Sequence, residues 1–103
     1  MNELPLLTGA QKTQLRGLGQ LLSDSLRIGR QGPTPALFTE LNRQLDTREL
    51  VKVRFEVADR DERATLCERM AAETPCLCVG SVGRTALFYR PHPDAAKRQA
   101  LSS

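Results

Sequence analysis

The sequence predicts an α/β domain in which three helices pack on a four-stranded mixed sheet, in the order α-β-α-β-α-β-β. Three observations predict it. Stretches with apolar residues at helical spacing take turns with short β-branched or alternating stretches, the pattern of helices covering a sheet. Each helical stretch opens on a residue suited to capping, Thr8, Thr34 or Asp59. The last two strand-like stretches meet at Gly83-Arg84, which leaves room only for a hairpin.

Thr8-Gly9-Ala10-Gln11 reads as a capping box that opens a helix over about residues 8–23. Leu15, Leu18, Leu21 and Leu22 form its apolar stripe, and Lys12, Arg16 and Gln20 lie on the opposite face. Ser25 to Ile28 is a short strand that stops at Gly29. After Gly29-Arg30-Gln31-Gly32, Thr34 is placed as N-cap and Pro35 at the first position of a second helix running to about Asp46, which buries Leu37, Phe38, Leu41 and Leu45. From Leu50 to Val57 the residues Val51, Val53, Phe55 and Val57 alternate with Lys52, Arg54 and Glu56, a strand with one wet face. Asp59-Arg60-Asp61-Glu62 opens a third helix with acids that suit the helix dipole, its core stripe is Leu66, Cys67, Met70 and Ala71, and Pro75 ends it. Strands over Cys76–Val82 and Thr85–Arg90 close the domain. Connections through helices predict parallel pairing and the hairpin antiparallel pairing. Residues 1–91 thus form one domain, and 92–103 form a polar tail in which Pro91 and Pro93 block strand pairing.

Composition narrows the class of function. The apolar runs are only a few residues long, too short to cross a bilayer. The first residues lack the basic start and apolar core of a secretory signal, and three cysteines make a poor disulfide framework. Both point to a cytoplasmic protein, expected to be monomeric. The net charge is +3, but it is unevenly spread: +2 over residues 1–39, −2 over 40–73 and +3 over 74–103. Twelve of the fifteen basic residues are Arg, whose planar fork binds phosphate through two hydrogen bonds.

The chemistry is expected at Gly29-Arg30-Gln31-Gly32. Two glycines around two polar residues let backbone approach a ligand closely, and the loop feeds straight into a helix N-terminus. Free amides there, with Arg30 and Gln31 beside them, suit a phosphate, and a GxxG loop of this kind clamps a nucleotide backbone in KH domains. The same spacing is also common in ordinary turns.

Three stretches carry a wider resemblance. Ile28-Gly29-Arg30-Gln31-Gly32 followed by Thr34, Leu50-Val51-Lys52-Val53-Arg54, and Val82 to Arg90 stand in the order and spacing of the YhbY family. This family is the stand-alone bacterial form of the CRM domain, the chloroplast RNA splicing and ribosome maturation module. The resemblance spans about residues 8–91. It implies a fold similar to the C-terminal domain of bacterial translation initiation factor three, RNA binding, and association with ribosomal RNA in precursors of the large subunit. The residues expected at RNA are Gly29, Arg30, Gln31, Gly32 and Thr34, with Lys12, Arg16 and Arg84 as basic flanks, and of the loop the resemblance carries over Gly29, Arg30 and Gly32. One departure stands out: the family usually has an aliphatic residue where this chain has Pro33, and proline removes an amide donor.

Other residues have plainer readings. Lys12 and Arg16 also suit a solvated helix face, and Lys52 and Arg54 the wet side of a strand. Phe88 and Tyr89 alternate faces, so one is expected in the core and the other free to stack on a base. Cys76 and Cys78 share a strand face but lack partners for a metal, with His92 the sole histidine, and are expected to be dispensable. No nucleophile sits beside a base in sequence, so no catalysis and no cofactor are expected. An RNA-binding assembly factor is the leading reading, and a protein-interaction module on the ribosome is the alternative. A small thiol- or metal-dependent enzyme comes third. The first needs an exposed loop with Arg30 beside it, the second an exposed apolar patch, and the third convergence of Cys76, Cys78 and His92.

Overall fold

The computed structural model describes residue 4, residues 6–56 and residues 59–94. Its elements run α1 (Gly9–Gln20), β1 (Leu26–Ile28), α2 (Pro35–Arg48), β2 (Leu50–Phe55), α3 (Arg60–Glu73), β3 (Leu77–Val82) and β4 (Thr85–Tyr89). Helices and strands follow one another as the sequence predicts. Val57, which the alternation places in the second strand, and the tail from Ala95 onward lie outside the described residues.

All three helix starts are set locally. Thr8 and Gln11 exchange side-chain and backbone hydrogen bonds of 3.0 and 3.1 Å. The Thr34 hydroxyl accepts from the Leu37 amide at 3.2 Å with Pro35 next in line, and Asp59 accepts from the Glu62 amide at 2.8 Å. Each bond satisfies an amide that the helix itself leaves open.

The sheet order is β1-β2-β4-β3. β1 pairs with β2 in parallel, and β4 is antiparallel to both of its neighbours. Only one of the two helix-mediated connections therefore produces a parallel pair. β2 and β3 do run in the same direction, but β4 folds back between them. The Gly29–Gly32 turn, the end of β2 and the β3–β4 hairpin consequently meet at one end of the sheet.

Helices cover both faces. On one, Val53, Phe55 and Phe88 meet Leu41 and Leu45 of α2 and Cys67 and Met70 of α3. On the other, Leu15 of α1 packs against Leu50, Val79, Leu87 and Tyr89. A β-bulge opens between Cys78 and Gly80, which pair with Phe88 and Leu87, so that Val79 and Gly80 both face α1.

The apolar stripe expected on the first helix is only partly in the core. Leu15 is fully buried, whereas Leu18, Leu21 and Leu22 are 37%, 85% and 38% exposed. The helix runs across the strands: Arg16 lies over Gly80 of β3, Gly19 against Leu87 of β4, and the carbonyls of Gly19 and Leu22 above Lys52 of β2. A Cβ at Gly19 would stand 2.3 Å from Leu87, so the close approach depends on glycine and the leucines beyond it overhang the sheet. Lys52 is half-buried there and donates to both carbonyls at 3.3 Å, which closes a helix that ends at Gln20 instead of residue 23.

Candidate nucleic-acid interface

Gly29 to Gly32 form a hydrogen-bonded turn in which the Gly32 amide donates to the Gly29 carbonyl at 3.1 Å. Gly32 has φ of 75°, which glycine adopts without cost, whereas a Cβ at Gly29 would meet only Glu56 Oε2, at 3.7 Å. Free amides are present, as expected, but fewer than the four residues suggest. Gly32 spends its amide on the turn and Pro33 has none, which leaves those of Arg30 and Gln31 without a hydrogen bond among the described residues. Both side chains are exposed. Thr34 sits as the cap of α2, its hydroxyl oxygen accepting from Leu37.

Arg84 joins this end of the sheet. Its guanidinium donates to the Glu56 carbonyl at 3.3 Å, its own carbonyl accepts from Phe55, and Glu56 in turn donates to Ile28 at 2.9 Å. Two further arginines complete the strip. Arg27 and Arg54 are register partners across β1 and β2, and both are exposed. Arg27 lies 3.5 Å from Asp24 and 3.8 Å from Glu56, with two thirds of its side chain in solvent. The sequence reading missed Arg27, though the signal was present: Leu26 and Ile28 point inward, so the residue between them must point out.

Lys12 and Arg16 do not converge with the turn. They lie on α1 toward the β3 edge, and β1 is the opposite edge, three strand spacings or roughly 14 Å away. Arg16 is also engaged, donating from Nε to the Val79 carbonyl at 3.0 Å. The expectation that Phe88 or Tyr89 is free to stack is corrected as well. Both are buried, at 0% and 2% exposure, because each face of the sheet carries a helix. Phe55 is buried and Phe38 half-buried with Arg69 5.6 Å over its ring, so no aromatic residue of the chain offers an open face.

Between the turn and the first turns of α3 lies a cavity of about 430 Å³. Ile28, Phe55 and Leu66 form its floor, the turn is one wall, and Asp61, Glu62 and Thr65 are the other.

Elsewhere, the thiols of Cys67 and Cys78 face one another across α3 and β3. The Cys67 S–H and the Gly80 amide donate to Cys78 and hold its pKa down at about 7 against the effect of burial. The same hydrogen bond, and burial, push Cys67 upward, and burial raises Cys76 to about 12. His92 accepts from the Asp94 amide through Nδ1, and its own amide donates to Glu49. Among the described residues no group of three His, Cys, Asp or Glu is placed to hold a metal ion, and no helix is long and apolar enough to cross a membrane.

These features define a small α/β domain whose sheet ends in an exposed glycine turn flanked by arginines. The chain belongs to the CRS1/YhbY (CRM) domain family, whose model matches residues 7–90. It is 36% identical over 91 residues to a Pseudomonas aeruginosa protein named "Probable RNA-binding protein PA4753", covering 88% of each chain. It is 30% identical over 89 residues to a Haemophilus influenzae protein named "RNA-binding protein", covering 86% of this chain and 90% of the other. The solution structure of a hypothetical protein from Staphylococcus aureus superposes with a TM-score of 0.78 at 26% identity, covering 91% and 98%.

Proposed function

We propose that this protein binds RNA at the turn end of its sheet, as a monomeric, cytoplasmic and non-catalytic factor for ribosomal RNA in large-subunit precursors. One observation carries the reading: Arg30 projects from an exposed turn at the sheet end that also bears Arg27, Arg54 and Arg84, in a family whose relatives are named for RNA binding. The Arg30 and Gln31 amides and four guanidinium groups suit a run of phosphates, and phosphate contacts position a protein on RNA. Lys12 and Arg16 fall outside this contact surface.

Two measurements test it. With four to six phosphate contacts on single-stranded RNA, the logarithm of affinity should fall with the logarithm of salt at a slope of roughly −3 to −4. Arg30→Glu should weaken binding at least about tenfold, by replacing an attractive charge with a repulsive one. Arg48→Glu makes the same charge change on an exposed residue at the far end of the sheet and should weaken binding no more than about twofold. Equal effects of the two substitutions would refute the site. The protein-interaction reading keeps one observation of its own, the exposed Leu18, Leu21 and Leu22. A flat salt response would favour it.

A further inference from the structure

We propose that the cavity between the Gly29–Gly32 turn and α3 is a pocket for one unpaired guanine, so that the protein reads a base as well as a backbone. The inference rests on the RNA-binding reading and gives that site a specificity. A phosphate-binding surface has no use for carboxylates, yet Asp61 and Glu62 line this cavity opposite Arg30 and Gln31. Both acids suit the positive end of α3, whose cap Asp59 supplies by accepting from the Glu62 amide at 2.8 Å, yet neither carboxylate is spent on a hydrogen bond among the described residues. The side chains of Asp61 and Glu62 are exposed, with no hydrogen bond or ion pair among the described residues.

The cavity is divided by chemistry. Half-buried Leu66, with the almost fully buried Ile28 and Phe55 beneath it, gives the cavity an apolar floor against which a base can lie. The turn side carries the Arg30 guanidinium, the free amides and the Gln31 side chain, a donor-rich wall that suits the phosphate linked to that base. On the α3 side the cavity meets the carboxylates of Asp61 and Glu62 and the Thr65 hydroxyl, whose own proton goes to the Asp61 carbonyl at 3.1 Å, so an edge that meets these side chains must donate. A cavity of about 430 Å³ is in the range of small-ligand pockets and admits one nucleotide.

Among the four bases, guanine alone has two adjacent donors on its pairing edge, N1–H and the 2-amino group. Two parallel N–H groups match the two oxygens of one carboxylate, the geometry that makes guanidinium–carboxylate pairs strong. Uracil has one N–H between two carbonyls that the acids repel. Cytosine and adenine have an amino group beside an unprotonated ring nitrogen, which is repelled in the same way. Unpaired RNA exposes these edges, whereas a duplex hides them.

The test compares fluorescently labelled octamers of uridine with the same octamers carrying one central guanosine, cytidine or adenosine, at fixed salt and in EDTA. The parent protein should prefer the guanosine octamer over the all-uridine one by roughly tenfold, with cytidine and adenosine between. In the double variant Asp61→Asn, Glu62→Gln, the preference should fall to about twofold while affinity for the all-uridine octamer holds or rises, since repulsion is removed. Arg30→Glu should lower affinity for both octamers and leave their ratio intact. A ratio near one in the parent, or a ratio that persists in the double variant, overturns the guanine pocket and leaves RNA binding standing. A preference that requires magnesium and vanishes in EDTA also overturns it. If neither octamer binds, the failure is that of the RNA-binding reading itself.

Discussion

Arg90 and Arg30 stand at opposite ends of one sheet and show two uses of the same side chain. Arg90 donates to Asn42 Oδ1 and the Asn42 carbonyl at 2.8 and 3.0 Å, to Asp46 at 2.7 Å and to the Pro75 carbonyl at 3.4 Å, with only 18% of its side chain exposed. It ties α2 and the end of α3 to β4. Its own amide donates to the carbonyl of Glu49, a buried residue at φ 63° whose carboxylate accepts from His92. Arg30 has no partner among the described residues and sits on a turn held by one backbone bond. An arginine whose donors are spent on its own chain locks a structure. One whose donors meet only solvent adds little to stability and is free to meet a ligand.

The largest expected effect breaks the locked end. Arg90→Ala removes three hydrogen bonds to neutral groups and an ion pair with Asp46 from a side chain that is itself mostly buried, and should cost roughly 2–3 kcal/mol of stability. For a domain of this size that lowers Tm by roughly 10–20 °C. Arg30→Ala should change stability by no more than about 0.5 kcal/mol. Thermal unfolding of both variants measures the contrast, and equal shifts would erase the distinction between the two ends.

How much of this was legible depended on range. Thr8, Thr34 and Asp59 were readable as caps because each acts within three residues of itself. The turn was readable because a glycine pair announces itself locally. Arg27 could have been read from its inward-facing neighbours. The exposure of Leu18, Leu21 and Leu22 could not, because a stripe tells which side of a helix is apolar, not how far the helix extends past the sheet. Phe88 and Tyr89 were rightly assigned to opposite faces, but alternation cannot say that a helix covers each face. The family resemblance groups Lys12 and Arg16 with the turn, and only the strand order puts them at the other edge. Glu49 gave no signal, since its left-handed backbone and its bond to His92 arise from the way α2 meets β2.

A smaller effect sharpens the comparison within the turn itself. Gly32→Ala forces a Cβ into a left-handed conformation and should cost about 1 kcal/mol, whereas Gly29→Ala makes only an ordinary contact with Glu56 Oε2 at 3.7 Å and should be nearly neutral. Urea unfolding of the two variants separates them. If Gly29→Ala proves the more costly, the backbone assigned to this turn is wrong.

The last comparison is read first as chemistry and follows the change in environment along β3, which runs from the locked end toward the open one. Cys76 is buried where the strand begins, near Arg90, and burial raises its pKa to about 12. Two residues on, Cys78 reaches the surface, and donation from the Cys67 thiol and the Gly80 amide lowers it to about 7. A thiol with a depressed pKa is a thiolate above that value, and the thiolate is the nucleophile. Iodoacetamide should therefore modify Cys78 first in the folded protein, at a rate that rises as pH passes through about 7. Cys67 and Cys76 should stay unmodified until denaturant is added, when all three react. Cys67→Ala removes a donor to Cys78, so the midpoint should move up toward the ordinary thiol range. The same distinction revises the expected dispensability of the pair: Cys78→Ser should be silent, and Cys76→Ser should destabilise by about 1–2 kcal/mol, because it places a hydroxyl in the core. Mass spectrometry of timed samples across pH decides the order. Early modification of Cys76, or a Cys78 midpoint that ignores Cys67→Ala, would show that the two thiols do not occupy the surroundings described.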